Sequence, residues 1–128
     1  MNIQGNKITV NKSKAELATY LTTMENFGAL MPEGTKFEVL DSETFLFALK
    51  GMPDIKLRLQ EKTTDKIVLG AAGGKMPFTL TAILNEIEAN KTEAQLTFDG
   101  QFNAMMAMMI KGPITKFVGQ LTDKLSTS

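Results

Sequence analysis

The feature that most restricts the fold is a change of hydrophobic period along the chain. From Thr35 to about Gln101 apolar and polar residues tend to alternate, whereas from Asn103 to Leu125 the apolar residues recur every three or four positions. A period of two marks strands with one buried face, and a period near 3.6 marks a helix with one buried stripe. A run of antiparallel strands closed by one long helix is the expected skeleton.

Turn residues divide the strand region. Lys36–Leu40 is predicted to end at Asp41-Ser42, Thr44–Lys50 at Gly51 and Pro53, Ile55–Glu61 at Thr64-Asp65, and Lys66–Ala71 at Gly73-Gly74. Met76–Ile87 and Thr92–Gln101 make the last and longest pair, joined through Ala89-Asn90-Lys91. Alternation is cleanest where Ile55, Leu57 and Leu59 oppose Lys56, Arg58 and Gln60, and where Leu96 and Phe98 oppose Thr97 and Asp99. Such a sheet has one wet face.

Ahead of this region, Ile3–Val10 is predicted as a first strand. Ser13 then precedes an apolar-periodic stretch and Glu16 follows three residues later, the capping-box spacing that satisfies orphan backbone donors reciprocally. Leu17, Tyr20, Leu21 and Met24 give Ser13–Met24 one apolar face. Glu25–Met31 is expected as a second short helix, with Phe27, Leu30 and Met31 inward, stopped by Pro32 and Gly34. The closing helix is expected from its N-cap Asn103 to Leu125, with Met106, Ile110, Ile114, Phe117, Leu121 and Leu125 as its stripe. Gly112-Pro113 should kink it, or split it into two helices.

Composition removes whole classes of chemistry. The 128 residues contain no His and no Cys, so imidazole bases, thiolate nucleophiles, disulfides and the commonest transition-metal ligands are all missing. Fourteen Lys+Arg balance 14 Asp+Glu, leaving no basic field to attract nucleic acid or anionic lipid. No metal, cofactor or nucleic-acid partner is expected. No apolar run reaches the length of a membrane span, and Met1–Val10 lacks the layout of a signal peptide. One cytoplasmic domain over residues 1–128 is the expectation.

The order strand, two short helices, six strands and one long helix is an α+β arrangement with helices segregated to one face. It resembles the START-like, pollen-allergen-like helix-grip superfamily, also called SRPBCC, which includes polyketide cyclases and lipid-transfer proteins. The resemblance is carried by Val10-Asn11-Lys12-Ser13-Lys14-Ala15-Glu16, by Tyr20-Leu21 through Glu25-Asn26-Phe27 to Leu30-Met31-Pro32, and by Gly112-Pro113 with Phe117–Leu125. It implies a curved antiparallel sheet of about seven strands wrapped around the long C-terminal helix. It also implies a cavity between them that holds a hydrophobic small molecule, lipid or polyketide-like.

On that expectation the ligand-binding residues are Leu30, Met31, Phe45, Phe47, Leu57, Leu59, Phe78, Leu80, Leu96, Phe98, Met106, Met109, Phe117 and Leu121. The aromatic and aliphatic members serve equally well as a filled core. Met105, Met106, Met108 and Met109 form the densest methionine cluster, fit either for adapting to a ligand or for filling gaps in a core. Met106 and Met109 match the stripe best. Met108 falls nearly opposite and leaves open a homodimer contact, favoured by zero net charge.

Gly70-Ala71-Ala72-Gly73-Gly74-Lys75 resembles a phosphate loop only superficially, since Lys75 precedes Met76-Pro77 and a strand rather than Ser/Thr and a helix. For an enzyme, which is the alternative function, the carboxylates to test are Glu61, Glu86 and Asp99. Asp99 and the lone Arg58 point outward by parity, Glu61 and Glu86 inward only at strand ends. An interaction protein with a filled core is the third reading.

Overall fold

The computed structural model describes residues 1–49, 54–72 and 78–127. Its elements in chain order are β1 (Asn2–Gln4), β2 (Ile8–Val10), α1 (Lys14–Thr22), α2 (Asn26–Leu30), β3 (Lys36–Asp41), β4 (Thr44–Ala48), β5 (Ile55–Lys62), β6 (Lys66–Ala71), β7 (Phe78–Glu88), β8 (Lys91–Gly100) and α3 (Ala104–Ser126). The expected turns at Gly51 and Pro53 and at Gly73-Gly74, together with Lys50, Lys75 and Met76, lie outside the described residues.

All eight strands form one antiparallel sheet in the order β1-β8-β7-β6-β5-β4-β3, with β2 also on β8. The expected first strand is two. Ile3 pairs with Phe98 and Ile8 with Ala94, so the register advances by one residue between them, and both pieces share the outer edge of β8. This bulge lets Ile3 and Val10, of opposite parity, both turn inward and be buried. Gly5 bridges the break, donating its N–H to the Leu96 carbonyl at 2.8 Å and accepting from the Gln95 amide at 3.0 Å.

The capping box is formed: the Ser13 hydroxyl accepts from the Glu16 N–H at 3.1 Å, and the Ser13 N–H donates to the Glu16 carboxylate at 3.3 Å. Gly34, at φ 83°, carries the backbone out of the short helix in the left-handed region. The Lys124 ammonium, half-buried on α3, donates to the Met31 carbonyl at 2.5 Å where α2 ends.

α3 is one continuous helix with Pro113 inside it, not two. Gly112 and Pro113 are both exposed, so the backbone bond that proline cannot make faces water instead of the core. The helix packs on α2, β1, β2 and β8, burying Ile110, Ile114, Phe117, Val118, Leu121 and Leu125. α1 covers β5, β6, β7 and β8. The inner faces of helices and sheet merge into one apolar core. This is the α+β helix-grip arrangement expected, with an eighth strand supplied by the bulge. Among the described residues no helix is long and apolar enough to cross a membrane.

Candidate functional site

The core between the sheet and α3 holds most of the residues expected to bind a ligand. Leu30, Met31, Phe45, Phe47, Leu57, Leu80, Leu96, Phe98, Phe117 and Leu121 are buried in it, and Leu59 and Phe78 pack against it partly exposed. Met106 is half-buried. Met109 is a correction: it is 67% exposed, because the inward arc of α3 centres on Ile110, Ile114, Phe117 and Leu121, and Met109 lies about 100° round the helix from Ile110, beyond the edge of that arc.

The aromatic rings divide into two groups. Phe27 stacks on Phe45 with centroids 4.9 Å apart, Phe45 neighbours Phe37 and Phe47, and Phe47 stacks on Phe117, joining α2, β3, β4 and α3. Phe78, Phe98 and Phe102 form the second group, where β7, β8 and the approach to α3 meet. Phe37 and Phe102 were not among the expected site residues. The signal for Phe102 was Gly100: a Cβ there would lie 2.5 Å from the Phe102 ring, so glycine is what admits the close approach.

The first group reaches the surface through a hollow of about 340 Å³ between the loop after α2 and the middle of α3. Leu49 and Phe117, both buried, form its floor; Glu33, Thr35, Lys116 and Gln120 form its rim. Leu49 and Gln120 were not predicted. The only hint was Gly112-Pro113, which ends on the hollow through Pro113.

The interior is chemically spare. Its buried polar side chains, among the described residues, are Thr44, Thr92 and Thr122. The Thr92 hydroxyl donates to the Lys12 carbonyl and that of Thr122 to the Val118 carbonyl, each at 2.8 Å. Such an interior offers shape and dispersion rather than hydrogen bonds, since these hydroxyls are already committed to the backbone.

The candidate carboxylates lie elsewhere. Gln60 is the extra residue of a bulge in β5, and beyond it Glu61 pairs with Val68 and points outward, 3.1 Å from the Lys66 ammonium. Glu86 is exposed at the rim of a groove of about 600 Å³ between α1 and the β5–β6 turn, where Lys14 forms an ion pair with Asp65. Asp99 lines an outer hollow of about 490 Å³ with Gln60, Thr79 and Gln101. Arg58 is outward as expected, 3.9 Å from Glu43. Tyr20 is half-buried under the Lys12 ammonium, 5.4 Å from the ring centroid. Of the loop that superficially resembles a phosphate cradle, Gly70 and Ala71 belong to β6 and the Gly73-Gly74-Lys75 portion lies outside the described residues. Among the described residues no cluster of three or more Asp and Glu is placed to hold a metal.

No protein-family model and no curated protein matches the sequence. Solved structures do share its fold. A START superfamily protein from Mycobacterium smegmatis superposes with a TM-score of 0.70 at 12% identity, covering 98% of this chain and 94% of that one. The di-domain ARO/CYC protein BexL of the BE-7585A biosynthetic pathway gives 0.67 at 11%, over 99% of this chain and 45% of its own. The Aha1 dimer from Colwellia psychrerythraea gives 0.61 at 18%, over 98% and 96%. At these identities what is held in common is the START-like fold.

Proposed function

We propose that residues 1–128 form a single cytoplasmic domain that binds a hydrophobic small molecule, lipid or polyketide-like, between the sheet and α3. The observation that carries this reading is the hollow of about 340 Å³, on whose floor Phe117 of the core's aromatic stack lies beside the buried Leu49. Its volume falls in the range of small-molecule sites, and its rim donors, Lys116 and Gln120, are placed for the polar end of a molecule whose apolar part is inside. Fold neighbours that include a START superfamily protein and an ARO/CYC protein lend the same support.

The test is native mass spectrometry of gently purified protein, followed by organic extraction and by titration with a fatty acid and a polycyclic aromatic probe. A bound apolar compound near one per chain, or probe uptake that Leu49→Trp weakens, is the expected result. A clean unliganded mass with no uptake of either probe overturns the reading.

A further inference from the structure

The first two turns of α3 are apolar all the way round. Ala104-Met105-Met106-Ala107-Met108-Met109-Ile110 contains no polar side chain, yet only one side of it meets the core. Met105, Met108 and Met109 are 73%, 83% and 67% exposed. A helix hydrophobic on every side is normally enclosed, and among the described residues nothing covers the outward side of this segment.

The charges around it indicate which partner fits. From Gly100 to Thr122 there is no Asp or Glu, while Lys111 and Lys116 are both present and exposed on α3. The bounding acids along the chain are Asp99, which faces the outer side of the sheet, and Asp123 near the far end of the helix; across the fold, Glu33 shares the rim of the hollow with Lys116. At 1.5 Å per residue Lys111 stands about 9 Å behind Met105 along the axis, and Lys116 about 16 Å. With the helix entering by its N-terminal end to a depth of about 5–10 Å, the depth to which amphipathic elements sink, Met105 is immersed and Lys111 stands at phosphate level, with Lys116 further out on the water side.

We infer that this end of α3 docks on an anionic lipid surface, the methionines entering the acyl boundary and Lys111 and Lys116 meeting the headgroups. A second copy of the chain fits less well. Three methionines offer a patch on the order of a few hundred Å², against roughly 800 Å² per partner in a stable interface. Two such surfaces face to face also bring lysines together with no acid from this segment to meet them. Methionine is suited to the fluid side of a bilayer because its flexible thioether adapts to irregular surroundings. The inference does not require the interior to bind a ligand, although the two readings share Lys116 on the rim of the hollow.

Flotation of the full chain with phosphatidylcholine vesicles, with and without phosphatidylserine, tests it, alongside sedimentation equilibrium for self-association. Binding is expected only with phosphatidylserine, weakened by salt, and reduced roughly tenfold or more by Lys111→Glu/Lys116→Glu. Met105→Ser/Met108→Ser, at exposed positions outside the core, is expected to reduce it similarly while leaving the circular dichroism spectrum and melting temperature unchanged. Failure to float with anionic vesicles, flotation indifferent to either double variant, or a dimer that Met105→Ser/Met108→Ser dissolves would overturn the inference.

Discussion

Phe47 on β4 and Phe117 on α3 lie flat against each other, with ring centroids 4.9 Å apart and an interplanar angle of 8°. The pair fastens the middle of the closing helix to a strand on the far side of the sheet from β8, where the helix makes its backbone-level contacts. Both rings are at most 2% exposed. Phe117→Ala should therefore cost about 3–5 kcal/mol, measured by urea unfolding, through lost burial and the cavity left behind. If residues 1–128 are one domain, as proposed, the loss shifts one cooperative transition and does not split it.

Gly100 sits where a side chain has no room: a Cβ would lie 2.5 Å from the Phe102 ring and 2.9 Å from the Phe78 Cβ. Gly100→Ala is expected to destabilise by about 1–3 kcal/mol through overpacking. Phe102→Ala in the same chain relieves only the first clash, so a double-mutant cycle should recover part of the loss and leave the Phe78 portion.

The Asp41 carboxylate accepts the Glu43 N–H at 2.8 Å, and this bond, followed by the Thr44 hydroxyl, holds its pKa below the ordinary carboxylate value. A lowered pKa in the folded state means stabilisation that is present above the unfolded value and fades as pH falls through the folded one. The stability difference between the parent and Asp41→Ala should accordingly be largest at neutral pH and shrink below about pH 4. Carboxyl chemical shifts across an acid titration report the direction independently.

Ser13 completes a reciprocal cap with Glu16 at the start of α1. Ser13→Ala should cost about 1 kcal/mol, and Ser13→Asp should restore most of it, since aspartate is an equally good N-cap. Thermal unfolding of the two variants decides the matter.

Most of the skeleton was legible in the sequence because the patterns that reveal it are local. Ser13 and Glu16, Asn103, the alternation around Leu57 and Leu96, and the α3 stripe through Ile110 and Leu121 each need only a few neighbouring residues. Bulges escaped because they are decided by the partner strand. The slip between Ile3 and Ile8 shows only as a change of parity between Ile3 and Val10, and the extra residue Gln60 that turns Glu61 outward is fixed by the pairing with β6. Met109 was misplaced for a related reason: in a segment apolar on every side the period vanishes, and nothing in the sequence says which methionine faces in. Leu49 and Gln120 come together only when the loop after α2 meets α3, a long-range encounter invisible to spacing.

The pairing of β1 and β2 with β8 has a consequence for how the chain is made. Ile3 finds Phe98 and Val10 finds Thr92, so β1 and β2 depend on a strand synthesised well after them. At about 5–20 residues per second the N-terminal segment waits roughly 5–20 s for its partner to be synthesised. Until then it has no sheet to join and β3–β7 have no closing neighbour, a window in which a nascent-chain chaperone is most useful and a stalled ribosome most harmful.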